Sequence, residues 1–227
     1  MKFIYLKKSY KLMFAIMLVA SVQSGLVHAN AMSEVAKLQS RWAQVNYQLQ
    51  GDAQEEAFEQ LVAQADSVTQ SYPNAAEVWI WNGIIKSSYA GSRGGLGALG
   101  LVKDSRTALE KALNINPDAM QGSAYTSLGT LYFKVPGWPI AFGDDDKAKE
   151  LLQKALQINP DGIDSNYFYA EYLEEKGDYE NAKKYLLKAQ QAAPRVSRPV
   201  ADAGRHKQIT RLLASIDKQL SSNGEFE

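Results

Sequence analysis

Two stretches of this 227-residue chain are nearly identical: "EKALNINPDA" at residues 110–119 and "QKALQINPDG" at residues 153–162. A weaker third copy, "LKAQQAAPRV", occupies residues 187–196. The prolines of the three copies recur at intervals of 43 and 34 residues. Self-similarity at a period of this size indicates a repeat protein, in which each repeat is one small supersecondary unit. The fold therefore depends on what one copy and its flanking residues form.

Each copy ends an amphipathic helix. The stripe before Pro160 has apolar or small residues at i, i+3, i+4 and i+7, which is helical spacing: Ala148, Leu151, Leu152 and Ala155. Pro160 ends this helix because the residue before a proline is disfavoured in the α region. A second helix precedes each stripe, and its small residue (Gly83, Gly129 or Ala170) lets the two helices approach closely. Each repeat is therefore predicted to be a helical hairpin.

This pattern resembles the tetratricopeptide repeat (TPR) family over roughly residues 38–194. The matching positions in the last two repeats are Tyr125, Leu128, Gly129, Tyr132, Ala148, Leu152, Ala155, Pro160, Ala170, Gly177, Ala182, Leu186, Ala189 and Pro194. The resemblance implies an all-α, TPR-like solenoid of antiparallel helix pairs with inserted inter-helix loops and a C-terminal capping helix. The hairpins are predicted at about residues 32–72, 75–116, 119–159 and 163–193, and the capping helix at about 200–220.

The N-terminus has the pattern of a secretory signal. Four lysines precede an apolar segment of 11 residues, Leu12 to Val22, which is too short to cross a bilayer as a helix. Val27-His28-Ala29 then forms a small-residue cleavage site before Asn30. We expect residues 1–29 to be removed and residues 30–227 to form a single helical domain in the periplasm. The alternative is an uncleaved membrane anchor.

The charge of residues 30–227 excludes several classes of partner. This segment has 21 basic and 25 acidic residues, so it lacks the basic surface that nucleic acid requires. The same balance disfavours binding to an anionic membrane surface. The chain contains no cysteine, which excludes disulfides, thiolate metal sites and a lipid-anchored N-terminal cysteine. We therefore expect no membrane anchor after cleavage, and homo-oligomer formation is left open.

No stretch of the sequence predicts catalysis, a cofactor or a metal site. The GxGxxG pattern of Gly95 to Gly100 would bind a dinucleotide only between a strand and a helix. The segment before it is predicted to be helical, so residues 91–100 are interpreted as a glycine-rich, lengthened turn between two helices. His206 is the only histidine after the signal, and we expect it to form a surface pair with Asp202. The protein is therefore predicted not to be an enzyme.

Two groups of acidic residues have competing interpretations. Asp144, Asp145 and Asp146 lack the spacing of a calcium loop and are better explained as the N-terminal cap of a helix. Glu171 and Glu175 share one helical face, roughly 6 Å apart. That separation suits a solvated acidic face, a groove for a basic partner, or the carboxylate pair of a glycosidase.

The TPR resemblance implies a concave groove lined by the first helix of each repeat. By register, the residues placed there are Ile80, Ile84, Thr126, Thr130, Tyr167 and Glu171, and Phe133 and Lys134 continue the line. The cationic residues with which some members of the family bind acidic peptide tails are absent, so such tails are not expected partners. The groove is instead predicted to be apolar at one end and acidic at the other.

The insertion "KVPGWPIAFGD" at residues 134–144 places Trp138 between two prolines, which stiffen the loop. Two interpretations are open. Trp138 and Phe142 either plug the side of the solenoid or provide a fixed aromatic contact for a partner or ligand.

This insertion, the segment "NPDGIDSNYFYAEYL" at residues 159–173 and the predicted export are similar to one TPR branch, the T component found with some tripartite ATP-independent periplasmic (TRAP) transporters. That resemblance implies a scaffold that binds a periplasmic solute-binding protein. The alternatives are a small apolar ligand in the groove and a scaffold for cell-envelope assembly.

We predict that the mature protein begins at Asn30. A chain with a C-terminal affinity tag, purified from the periplasmic fraction, should give the intact mass of residues 30–227, because Val27 and Ala29 satisfy the small-residue rule for cleavage. Ala29→Lys should retain the precursor. Recovery of the full-length chain in the membrane fraction would contradict cleavage and support the anchor.

Overall fold

The computed structural model describes the backbone of residues 3–224 and the side chains of residues 25 and 27–222. Its regular elements over that range are helical. The α-helices are α1 Phe3–Gln48, α2 Gly51–Ser71, α3 Ala76–Arg93, α4 Ala98–Ile115, α5 Ser123–Lys134, α6 Asp145–Ile158, α7 Ile163–Glu175, α8 Tyr179–Gln190 and α9 Pro199–Gly224, and a 3₁₀ turn occupies Ala119–Gly122. The all-α prediction is confirmed.

Consecutive helices pair as four antiparallel hairpins: α1 with α2, α3 with α4, α5 with α6, and α7 with α8. Successive hairpins contact each other through α2 and α3, α4 and α5, and α6 and α7, as in a solenoid. Helix α1 continues without a break past residue 29. The helix therefore does not mark the predicted signal boundary, and cleavage there stays a prediction.

Small residues set the distance between the two helices of a hairpin. A Cβ added at Gly83 would lie 2.6 Å from Cγ of Leu109, and one added at Gly129 would lie 2.8 Å from Cγ of Leu152. The hydroxyl of Ser105, buried in the same contact as Gly83, donates a hydrogen bond of 2.7 Å to the Gly83 carbonyl. A serine is therefore tolerated at this packed position because its polar atom is satisfied.

The glycine-rich stretch is confirmed as an inter-helix turn, but the expectation of a lengthened turn was wrong. The non-helical part is only Gly94 to Gly97, where Gly94 and Gly95 have φ of 63° and 61°. Helices α3 and α4 have 18 residues each, against 12 and 14 in the next hairpin. The additional residues of this hairpin therefore lengthen its two helices and not the turn between them. The glycines within these helices are tolerated, since an exposed glycine costs a helix only about 1 kcal/mol or less.

Helix α9 contacts both ends of the solenoid. Its residue Ala201 belongs to an apolar core built mainly from α1 to α5, while Ile209 and Ile216 belong to a second core that includes α7 and α8. The first helices of the hairpins contact one another in sequence, and α9 then contacts α1 as well as α7 and α8. Helices α1, α3, α5, α7 and α9 thus form a closed circuit, called the inner ring below. The predicted cap is present, and it also joins the last repeat to the first.

We predict that Gly129→Ala destabilises the protein by about 1–2 kcal/mol, because the added methyl overlaps Leu152 and little space exists for it to move. Gly100→Ala is the matched control, since a Cβ there meets nothing within 4 Å and the position is helical. It should be neutral or slightly stabilising. Urea denaturation followed by circular dichroism measures both. Equal effects of the two substitutions would contradict the proposed helix contact.

Candidate partner-binding surface

The inner ring contains the predicted groove residues, but several of them are not accessible. Ile80 is completely buried, and Thr126 and Tyr167 are nearly so. Ile84 and Thr130 are half-buried, and the Thr130 hydroxyl donates to the carbonyl of Thr126 at 2.8 Å. In this arrangement Ile80 is a core residue and offers no surface to a partner. The assignment by register placed these residues on the inner helices but did not give their exposure.

Tyr167 is covered by the chain's own C-terminal helix. The guanidinium carbon of Arg205 lies 4.2 Å from the centre of the Tyr167 ring and 4.4 Å from that of Phe168. Burial, together with the nearby Glu171 carboxylate, raises the pKa of Tyr167 to about 12. Tyr167 therefore stays neutral at physiological pH, and its ring packs against α9 instead of facing solvent.

Phe133, Lys134 and Glu171 form one cluster where α5 and α7 end. The Lys134 ammonium lies 4.8 Å from the Phe133 ring centre and 3.4 Å from a Glu171 carboxylate oxygen, and it also pairs with Glu175. Burial lowers the pKa of Lys134, but the two carboxylates outweigh burial, so the pKa is raised overall. Since Lys134 joins Glu171 and Glu175, neither carboxylate is a free acidic site, and a paired acid and base of a glycosidase has no support here.

The loop between α5 and α6 presents Trp138 to solvent. Trp138 is 89% exposed and Ile140 is 57% exposed. The backbone of the loop is nevertheless fixed by hydrogen bonds at its base. The Gly143 amide donates to the Pro136 carbonyl at 2.9 Å, and the Asp144 amide donates to the Tyr132 carbonyl at 2.9 Å. The Trp138–Pro139 peptide bond is cis.

Phe142 anchors the other side of this loop to the solenoid. Its ring packs edge-on against Tyr132 with ring centres 5.4 Å apart, and the Arg106 guanidinium lies 5.0 Å from the Phe142 ring centre. The two aromatic residues of the insertion therefore differ. Phe142 packs against the side of the solenoid, as one interpretation expected of both residues, while Trp138 does not.

The acidic start of α6 is a helix cap, as predicted. The Asp144 carboxylate accepts a hydrogen bond of 2.9 Å from the Lys147 amide, and Asp145 pairs with Lys176 of the next hairpin. Among the described residues no group of three or more histidine, aspartate or glutamate side chains could hold a metal ion. Over the same range no helix combines the length and apolar character that crossing a membrane requires.

A network of arginine and aspartate joins α9 to α7. Arg195 donates to Asp164 at 2.5 Å and to Asp202 at 2.6 Å, and Arg205 donates to the other oxygen of Asp164 at 2.8 Å. Burial would raise the pKa of Asp164, but Arg205 and Arg195 outweigh burial and hold it well below its ordinary value. Asp202 is thus paired with Arg195, and the predicted Asp202–His206 surface pair was wrong.

Sequence reasoning missed this network because Asp164 lies 31 and 41 residues from its two arginine partners in the chain. A local signal was available only for a different contact of the same helix. Ala201 and Gly204 are small residues at i and i+3 on a predicted helix, which is the pattern of a face that packs closely on a neighbour. The neighbour is α1, since a Cβ at Gly204 would lie 2.4 Å from ring atoms of Tyr47.

The sequence was compared with models of known protein families. A sequence model described as tetratricopeptide repeat matches residues 140–218, which include α6 to α8 and most of α9. No curated protein matches the chain.

Solved structures share the fold at low identity. The crystal structure of TTC0263, a thermophilic TPR protein of Thermus thermophilus, aligns with a TM-score of 0.52 at 16% identity, over 72% of this chain and 90% of its own. MamA aligns with a TM-score of 0.43 at 17% identity, over 75% and 92%. YrrB, described as a TPR protein with an unusual peptide-binding site, aligns with a TM-score of 0.43 at 16% identity, over 76% and 85%. The first of these supports the solenoid fold.

We predict that Asp164→Asn lowers the free energy of unfolding by about 1–3 kcal/mol at pH 7, because Arg195 and Arg205 lose a shared charged partner. The depressed pKa of Asp164 makes its contribution fully present above the unfolded value of about 4. The contribution declines as pH falls below that value. The difference between wild type and Asp164→Asn in urea denaturation should therefore shrink at about pH 3.

The control is Asp217→Asn, which removes an exposed pair with Lys183 and should leave stability almost unchanged. A similar small effect of both substitutions, or a difference for Asp164→Asn that does not change with pH, would show that the network contributes little to stability.

Proposed function

We propose that this chain, a member of the tetratricopeptide repeat family, is an exported, non-catalytic scaffold that binds a protein partner through the loop of residues 135–144. TPR proteins are in general scaffolds for protein–protein interaction, and the solenoid fold of this chain agrees with such a role. The observation that carries the proposal is the exposure of Trp138, at 89%, on a loop whose backbone is fixed.

An exposed tryptophan on a rigid loop is well suited to binding. Large aromatic side chains are the residues that contribute most at protein interfaces, since they bury much area and lose little conformational freedom. The hydrogen bonds at Gly143 and Asp144 hold the loop in one arrangement before a partner arrives. Ile140, also exposed, extends the apolar surface beside Trp138. The loop therefore loses little additional conformational entropy on association.

The inner ring is the less favourable surface for the same partner. Ile80, Thr126 and Tyr167 are buried, and Lys134 is already paired with two glutamates. A cavity of about 680 Å³ opens on the outer face of α8, between Glu180 and Gln191. None of the residues that line this cavity belongs to the predicted groove, so the cavity does not favour a small apolar ligand there.

The proposed compartment and partner rest on the sequence. The lysine-rich start, the short apolar segment and the Val27-His28-Ala29 site support export to the periplasm. The resemblance of the Trp138 insertion and of residues 159–173 to the TPR component of TRAP transporters supports a solute-binding protein as the partner. Loss of cationic residues with the signal leaves an acidic domain, which agrees with a protein partner and not with nucleic acid.

We predict that Trp138→Ala abolishes capture of the partner. The tagged protein should be immobilised and exposed to periplasmic extract of its own host, and retained proteins identified by mass spectrometry. A solute-binding protein should be retained by the wild type and lost with Trp138→Ala, with affinity reduced about 30-fold or more in a titration of the purified pair, as expected for an aromatic contributing about 2 kcal/mol.

Leu96→Ala is the matched control, because Leu96 is 82% exposed at the tip of a different hairpin. It should leave capture unchanged. Equal retention by wild type and Trp138→Ala would refute the loop as the contact, and retention of a protein other than a solute-binding protein would refute the transport partner while keeping the scaffold.

A further inference from the structure

Three guanidinium groups and only two carboxylates meet where α9 begins. The cations are Arg195, Arg198 and Arg205, and the anions are Asp164 and Asp202. Both carboxylates are already bonded: Asp164 is shared by Arg195 and Arg205, and Asp202 is held by Arg195. Among the described residues Arg198 has no ion pair. The cluster therefore has one positive charge without a partner.

Hydrogen bonds hold the backbone at Arg198 in place, so the start of its side chain has a defined position. Its amide donates to the Arg195 carbonyl at 2.8 Å, and its carbonyl accepts from the Asp202 amide at 3.0 Å. The side chain lies over the indole of Trp81, with the guanidinium carbon 5.0 Å from the ring centre. This cation–π contact satisfies none of the N–H donors of the guanidinium.

Two buried donors in this contact lack an acceptor. Nε of Arg198 and Nε1 of Trp81 are both buried without a hydrogen-bond partner. Trp81 as a whole is only 2% exposed, while Arg198 is half-buried, so part of its side chain outside Nε is exposed to solvent. Buried donors without acceptors are rare in folded proteins, since each loses its hydration without compensation. In this protein two such donors belong to side chains that are in contact, Arg198 and Trp81.

We propose that Arg198 and Trp81 form a binding site for a carboxylate group. A carboxylate accepts the N–H groups of a guanidinium in a planar, bidentate arrangement, and a further oxygen lone pair can accept from an indole N–H. Its single negative charge matches the one uncompensated positive charge of the cluster. A doubly charged phosphate would leave a net negative charge in a partly buried place, which is costly. The proposal does not depend on the Trp138 loop or on the identity of a protein partner.

The charged form of Arg198 is disfavoured where it lies. Burial, and then the charge of Arg195, lower the pKa of Arg198 by more than Asp164 and Asp202 raise it. An anion bound beside Arg198 would offset the repulsion from Arg195.

The test uses the indole N–H signal of Trp81 in a ¹⁵N–¹H correlation spectrum of the full protein, assigned with Trp81→Phe. The probes are benzoate and its neutral analogue benzamide. Titration with benzoate to about 10 mM should shift the Trp81 signal in a saturable way, whereas benzamide should not. Arg198→Gln should weaken benzoate binding about tenfold or more, because a charge-assisted bond is lost. Arg211→Gln, which changes an exposed arginine on α9, should have no effect.

A second arm separates the two sources of a carboxylate. A tri-alanine peptide with a free C-terminus is compared with its C-terminal amide. Tighter binding of the free-acid peptide than of benzoate would assign the site to a peptide terminus, and the reverse would assign it to a small organic acid. Both results support the proposal. Absence of a saturable shift with benzoate and with the free-acid peptide would overturn it, as would equal binding by Arg198→Gln.

Discussion

The packing of Gly204 against the ring of Tyr47 is the contact on which the arrangement of the inner helices depends. A Cβ at position 204 would lie 2.4 Å from ring atoms, so the backbone of α9 can approach α1 this closely only with glycine there. That approach brings the first turns of α9 across the inner ring. Arg205 then reaches Tyr167, and the residues before α9 reach Asp164. The close contact of Gly204 with Tyr47 thus positions α9 both for the arginine–aspartate network and for the packing of Arg205 over Tyr167 on the inner ring.

Because the ring of inner helices is closed, the inner ring and the loop of residues 135–144 have different structural roles. The inner ring holds the first and last hairpins of the solenoid together, through the α9 contacts and the arginine–aspartate network. The loop of residues 135–144 takes no part in closing the ring. Phe142 packs this loop against Tyr132 of α5, while Trp138 faces solvent. Arg198 lies over Trp81, beside the network but outside its ion pairs. A scaffold with this design would hold its shape while an exposed aromatic on a rigid loop contacts a partner.

The parts of the fold that local patterns determine could be predicted from the sequence. Helical stripes, the prolines that end them and the small residues at Gly83 and Gly129 lie within single repeats, so they gave the hairpins. Accessibility of the groove could not be predicted in this way. The Tyr47 hydroxyl lies 3.3 Å from Gln208, which is 161 residues further along the chain, and no local pattern reports such a contact. Likewise, two prolines indicate a stiff loop, but the contact with Tyr132 decides which aromatic residue turns outward.

The most direct test of this account is a distance measurement across the inner ring. The chain contains no cysteine, so Gln44→Cys and Lys207→Cys, both at exposed positions on α1 and α9, can carry one spin label each without further changes. Double electron–electron resonance should give a single narrow distribution at the separation that the structure shows, because α9 is held against α1. A broad distribution extending to longer distances would contradict the closed ring, and the inner face would then be open to a partner.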